Sequence, residues 1–135
     1  MSGLSIFDIA GRAMSAQLVR LNSSASNLAN AGAVASSADA AFRPLKPVFQ
    51  TIYDGADSGR ATVGVASVVR ADVQPGRRYE PGHPLADADG FIHLAAVDPQ
   101  MELVELVETA RQYRNNIEVL ETAKSLTLET LRLGR

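Results

Sequence analysis

The sequence predicts a mainly α fold in which paired N- and C-terminal heptad helices, coiled-coil-like, flank a small β-rich insert. Three observations predict it. Apolar or small residues recur at alternating spacings of three and four near both ends of the chain. Five of the six prolines lie between those ends, where they interrupt regular helix. That middle segment also contains a run of valines that alternate with small or polar residues, which is the period of a strand.

The first predicted helix covers residues 7–28. Ser5, followed three residues later by Asp8, is typical of a helix start, and Asn30 and Gly32 favour its end. A stripe repeated at heptad spacing predicts that the helix packs along its length against other helices. This stripe, the α1 seam, consists of Phe7, Gly11, Met14, Leu18, Leu21, Ala25 and Leu28.

A longer helix is predicted to begin at Asp98-Pro99 and to run to Gly134. The carboxylate caps the first turn, and a proline fits the first helical position because the N–H it lacks has no helical partner there. Its main stripe, the α2 seam, begins Leu103, Leu106, Ala110, Tyr113, Ile117 and Leu120 and resumes at Leu131. A second stripe of Val119, Ala123 and Leu126 predicts that the far end contacts more than one neighbour.

The insert is predicted to contain short strands joined by turns. Residues 62–73 alternate as a half-buried strand does. Residues 42–53 form a second candidate, which Pro44 and Pro47 restrict to a sheet edge or extended coil. Residues 77–90 are rich in turn dipeptides and are expected to form an ordered loop. We therefore expect an N-terminal helix in residues 1–31, the insert in 32–97, and a C-terminal helix in 98–135 that packs with the first as one inner domain.

The composition excludes several classes of protein. A net charge of −2 gives no argument for binding nucleic acid or an anionic membrane. The absence of cysteine excludes disulfides, thiolate metal sites and cysteine nucleophiles. No window has the roughly 20 apolar residues of a spanning helix, and the N-terminus is a poor secretory signal.

No catalytic, cofactor or metal site is predicted. The segment Asp87 to Gly90 faintly resembles a calcium loop, but aligning Gly90 with the loop glycine leaves two essential oxygen ligands missing. An aspartate side chain that bonds to its own turn is the expected alternative. His83 and His93 lack the spacing of a zinc pair, and no G-x-S-x-G motif is present. We therefore expect the protein not to be an enzyme.

Two groups of charges have ordinary and functional interpretations. Glu102, Glu105 and Glu108 recur every three residues; Glu102 is interpreted as part of a solvated face. Glu108 fits equally well a solvated face, where it can pair with Arg111, or a contact with another subunit. The arginines of the insert, Arg70, Arg77 and Arg78, are expected to be solvated rather than to contact acidic neighbours.

Three stretches resemble one family. SAQLVRLNSSASNLANA resembles the RLN..ASNLANA stretch of the flagellar axial proteins of the rod and hook, and ARQYRNNIEVLETAKSLTLETLRLG is similar to their closing helix. YEPGHPLADADGFIHL resembles the segment before that helix in proximal-rod subunits. The chain departs from the family where residues 33–41 lack a threonine-rich turn and where Ala-Val-Asp-Pro replaces Asn-Val-Asp.

The resemblance implies a structural subunit of the flagellar basal-body proximal rod, which polymerises into the helical drive shaft and export channel. It implies export through the flagellar type III apparatus without a cleaved signal peptide, and assembly in the periplasmic part of the basal body. The implied partners are copies of the chain, the rod proteins FlgB, FlgF and FlgG, the rod-to-ring adaptor FliE and the MS-ring protein FliF.

From periodicity alone, the seams fit a helical hairpin within one chain as well as they fit packing between chains. The resemblance favours assembly. The expected assembly interface is Phe7, Met14, Leu18, Leu21, Leu28, Ala110, Tyr113, Ile117, Leu120, Leu126 and Leu131. The alternatives are another axial rod subunit, a soluble coiled-coil adaptor or secretion chaperone, and a cell-wall hydrolase, for which no acid pair in a recognisable motif is found.

Overall fold

The computed structural model describes residues 5–55 and 59–134, so the outermost residues of the expected domains, 1–4 and 135, lie outside the described residues. Two helices flank five strands in the described part of the chain. In chain order these elements are α1 (Ile6–Ala29), β1 (Val34–Ala35), β2 (Leu45–Tyr53), β3 (Ala61–Arg70), β4 (Arg77–Tyr79), β5 (Phe91–Leu94) and α2 (Pro99–Leu133).

The prediction of a mainly α fold is wrong. Helices hold 46% of the described residues and antiparallel strands hold 22%, so the molecule is a helix pair around a substantial β middle. Two features of the insert explain the difference. Pro47 lies within β2, where a two-stranded sheet leaves each strand one edge that needs no N–H donor. β4 occupies the first three residues of the segment expected to be a loop.

Both helices begin at the predicted caps. The Ser5 hydroxyl accepts the N–H of Asp8 at 3.1 Å, and the Asp8 carboxylate accepts the N–H of Ser5 at 3.0 Å, which completes a capping box. Asp98 accepts the backbone N–H of Gln100 at 2.9 Å, with Pro99 in the first helical position. The 24 residues of α1 span about 36 Å and the 35 residues of α2 about 52 Å.

The long hairpin of β2 and β3 packs against α1. The strands are antiparallel, with Leu45 opposite Arg70 and Tyr53 opposite Ala61, and a bulge shifts the register between Val48 and Phe49. An isolated two-stranded sheet is marginally stable in water, so the contact with α1 supplies the support that the hairpin needs.

A smaller sheet has the strand order β1-β5-β4, and β5 is the element that precedes α2 in the chain. All of its pairs are antiparallel. Ile92 on the central strand is fully buried, whereas the other buried apolar residues in the described ranges are alanines. The apolar core is therefore thin.

The loop between β4 and β5 is ordered by Asp87. One carboxylate oxygen accepts the N–H groups of Asp89 at 3.0 Å and Phe91 at 2.9 Å, and the other lies 3.1 Å from His93 Nε2. Gly90 follows with a φ of +83°, which favours glycine. The expected turn, in which an aspartate side chain bonds to its own backbone, is therefore confirmed.

We predict that Gly90→Ala lowers the free energy of unfolding by about 2 kcal/mol. An added Cβ would combine a left-handed backbone with contacts of 2.9 Å to the Tyr79 ring and 3.1 Å to Pro81. Urea titration measures the change. Gly82→Ala is the control, because its Cβ would meet no atom within 4 Å. Equal effects of the two substitutions would contradict the prediction.

We predict that Asp87→Asn weakens the acid dependence of thermal stability. The N–H of Phe91, followed by the side chain of His93, lowers the pKa of Asp87 below its ordinary value. Stability from a lowered pKa is complete above the unfolded-state pKa and is lost as the pH falls through the folded-state pKa. The melting temperature of the variant should therefore fall less steeply below about pH 4. Asp72→Asn at an exposed position is the control, and identical profiles for the two variants would disprove the effect.

Candidate assembly interface

Helices α1 and α2 meet along a row of polar side chains. Residues further along α1 pair with residues nearer the start of α2, so the two helices are antiparallel. This row, which we call the polar line, consists of three cross-helix pairs: Gln17 with Gln112, Arg20 with Glu105, and Asn27 with Glu102.

Arg20 forms the ionic contact of the polar line. Its Nε donates to Glu105 Oε1 at 2.7 Å, and its Nη2 pairs with the same carboxylate. The exposed fractions of the two side chains are 28% and 38%, so solvent screens the pair only in part. A turn away, Gln17 Nε2 donates to Gln112 Oε1 at 2.9 Å.

Asn27 connects α1 to both α2 and the insert. Its side chain is buried, and its Nδ2 donates to the carbonyl of Leu45 at 3.0 Å and to Glu102 Oε1 at 3.1 Å. Its Oδ1 accepts the N–H of Leu45 at 2.7 Å. Leu45 is the first residue of β2, so this amide holds the hairpin where the two helices meet.

The interpretation of Glu102 as part of a solvated face is wrong. Glu102 is 6% exposed, because its position on α2 turns it toward Asn27. On the same helix, Glu108 accepts a hydrogen bond from Gln112 at 3.1 Å and forms an ion pair with Arg111 at 3.2 Å. The bond from Gln112, followed by the charge of Arg111, lowers the pKa of Glu108.

The predicted apolar seams lie beside the polar line. One residue along a helix is a rotation of about 100°, so a stripe that follows another by one position lies on its flank. Each member of the polar line immediately precedes a member of a seam: Leu18, Leu21 and Leu28 on α1, and Leu103, Leu106 and Tyr113 on α2. Contact between the helices therefore covers the seams only in part.

The burial of the expected interface residues follows from this offset. Seven of them are half-buried within the chain: Met14, Leu21, Leu28, Ala110, Tyr113, Ile117 and Leu120. Four are exposed: Phe7, Leu18, Leu126 and Leu131. No partner chain is present, so their use between chains stays a prediction.

The last turns of α2 extend beyond the part that α1 covers. Ala123 is the last buried residue of α2, and every described residue after it is exposed. The apolar side chains of this uncovered end, residues 124–133, include leucines with exposed fractions between 47% and 87%: Leu126, Leu128, Leu131 and Leu133.

Sequence reasoning missed two features of the site. The polar line can be found as polar residues at spacings of three and seven, each directly before a seam residue on the same helix. The second feature is an aliphatic stripe at the start of α2, formed by Met101, Val104 and Val107, each about 70% exposed. Its spacing of three residues was the available signal.

The other candidate groups bond within the chain. His83 Nδ1 accepts the N–H of Leu85 at 3.0 Å. Within residues 5–55 and 59–134, no group of three or more potential metal ligands comes together. In the insert, Arg77 stacks over the Phe91 ring at 4.6 Å and Arg78 pairs with Glu80 at 2.9 Å. Neither described helix is long and apolar enough to cross a membrane.

Comparison with known proteins places these features in a family. Residues 88–133 match the family described as flagellar basal body rod FlgEFG protein C-terminal. The chain is 47% identical to the flagellar basal-body rod protein FlgC of Salmonella typhimurium and 46% identical to that of Yersinia enterocolitica, over 100% of both chains in each case. The chain belongs to the FlgC family. FlgC of Aquifex aeolicus is 31% identical over 88% of this chain and 87% of its own length.

Membership of the FlgC family confirms the resemblance seen in the sequence. The chain is a structural subunit of the flagellar basal-body rod and not an enzyme. A rod subunit assembles with other rod components and with copies of itself. The C-terminal match alone would also fit other axial subunits. The matches to FlgC over the whole length of both chains favour the FlgC family over those subunits.

We predict that Asn27→Ala destabilises the chain by about 2–4 kcal/mol, because the N–H and carbonyl of Leu45 and the Glu102 carboxylate lose their partner together. Urea titration measures the loss, and amide exchange should show that the N–H of Leu45 loses protection. Asn22→Ala at an exposed position of α1 should change stability by less than about 0.5 kcal/mol. Retained protection of Leu45 in the Asn27 variant would contradict this role.

Proposed function

We propose that the chain forms part of the proximal rod, where it polymerises with other rod proteins and copies of itself into a helical tube. The paired helices α1 and α2 form the inner domain beside the export channel, and the insert lies outside them. The uncovered end of α2 is the observation that carries this proposal. It holds four leucines that no other described residue of the chain covers.

The half-buried seams support packing between chains. An isolated soluble helix pair normally turns its widest apolar stripes inward. Here a polar line lies between the helices, and apolar seams lie on its flanks. Neighbouring helices in a tube would cover those flanks, which gives the apolar side chains a partner and removes them from water.

The interface that we propose consists of the eleven residues selected from the sequence. Residues at heptad spacing on both helices offer parallel strips to helices of adjacent subunits. The half-buried members, such as Ile117, would become fully buried on assembly, and the exposed members, such as Leu131, would contact a neighbour beyond the reach of α1.

The neighbours that we propose are the rod proteins FlgB, FlgF and FlgG, the adaptor FliE and the ring protein FliF. The subunit reaches the periplasmic part of the basal body through the flagellar type III apparatus, without a cleaved signal peptide. The thin apolar core supports this route, because a chain with few large buried side chains has little to lose when it travels unfolded.

We predict that Ile117→Asp prevents rod assembly without preventing export. The half-buried position tolerates a carboxylate in the free chain, but a neighbouring helix would bury that charge without a partner at a cost of several kcal/mol. The variant should be expressed in cells lacking the native protein, with periplasmic subunit, basal-body rods and motility measured.

Thr122→Asp is the matched control, since it places the same group at an exposed position of the same helix. It should support normal rods. Normal rods with Ile117→Asp would show that this face is not an interface. Loss of that variant from the periplasm would refute the expected survival of export.

A further inference from the structure

Three buried atoms in or beside the polar line have no hydrogen-bond partner. Within the described residues, Gln17 Oε1, Glu102 Oε2 and Thr109 Oγ1 all lie in or beside the contact between α1 and α2 and remain unsatisfied. Thr109 is fully buried. Buried polar atoms without partners destabilise a fold, so apolar residues would hold these helices together more strongly.

We infer that the polar line selects one register and one orientation for the helix pair, at a cost in stability. Buried polar contacts are best attested in this role where helices pair through repeating apolar stripes. Because the seams of α1 and α2 repeat every heptad, sliding one helix by a heptad would bring similar apolar residues together again. The polar pairs do not repeat in this way.

The pairs of the polar line break in either direction of slide. Moving α2 by one heptad in one direction places Thr109 opposite Asn27 in place of Glu102, and removes Glu105 from Arg20. In the other direction, the position opposite Asn27 falls before the first residue of α2. The observed register is the one in which all three pairs form together.

Register matters because both helices carry contact surfaces. A slide of one heptad would displace the two seams by about 10 Å relative to each other while leaving the helices paired. It would displace the hairpin from α2 by the same distance, since Asn27 also holds Leu45. This consequence rests on the proposed function, in which neighbouring subunits contact both seams. Arg20 and Glu105 act here as positioning residues.

Double electron–electron resonance, which measures the distance between two spin labels, tests the inference on the purified chain. The chain has no cysteine, so Asn22→Cys and Glu118→Cys introduce two spin labels at exposed positions, one on each helix. The parent with both labels should give one distance peak. Arg20→Glu places two carboxylates together, and roughly a third or fewer of the molecules should keep the parent distance. In the remaining molecules, the distance between the labels should change by about 10 Å.

The double variant Arg20→Glu with Glu105→Arg should restore the parent peak, because it rebuilds the pair with exchanged charges. Arg12→Glu, an equal change at an exposed position of α1, should leave the peak unchanged. Circular dichroism separates loss of helix from change of register. A parent without a defined peak, an unaltered peak in Arg20→Glu, or failure of the double variant to restore it would each overturn the inference. Rod formation in cells tests the proposed function separately.

Discussion

The side-chain amide of Asn27 joins strand β2 to helices α1 and α2, and the position of the insert depends on it. The amide oxygen accepts the N–H of Leu45, and the amide nitrogen donates to the carbonyl of Leu45 and to Glu102. The side chain thus pairs with the Leu45 backbone as a neighbouring strand would. Such a contact carries unusual weight here because the described core has only one large, fully buried apolar side chain, Ile92. Where apolar burial is small, satisfied polar contacts decide how the elements are arranged.

The helix pair inverts the usual distribution of polar and apolar residues. Its central contact is polar, and its apolar seams lie on the flanks, half covered. A monomer gains little from this arrangement, whereas a subunit surrounded by other helices gains apolar burial on each flank. The same inversion gives separate roles to the two kinds of contact. Polar contacts define the shape of the subunit, and apolar surfaces remain available for its neighbours.

Sequence reasoning predicted the parts of the fold that depend on local signals. The caps at Ser5 and Asp98 and the strand after Thr62 were found because capping geometry and period-two alternation lie within a few residues. The short strand β4 was missed because its pairing with β5 connects residues distant in sequence. Glu102 was misplaced because a spacing of three residues gives the face of a helix but not which face meets a partner.

The unequal lengths of the two helices have a mechanical consequence. The last ten residues of α2 continue for about 15 Å past Ala123, the last buried residue of that helix. If subunits of the proposed tube stack with these ends overlapping their neighbours, no flat plane across the stack separates one layer from the next. In that arrangement, a twisting load would shear helices along their length rather than separate one joint. Torque would be shared by many overlapping contacts, each of modest strength.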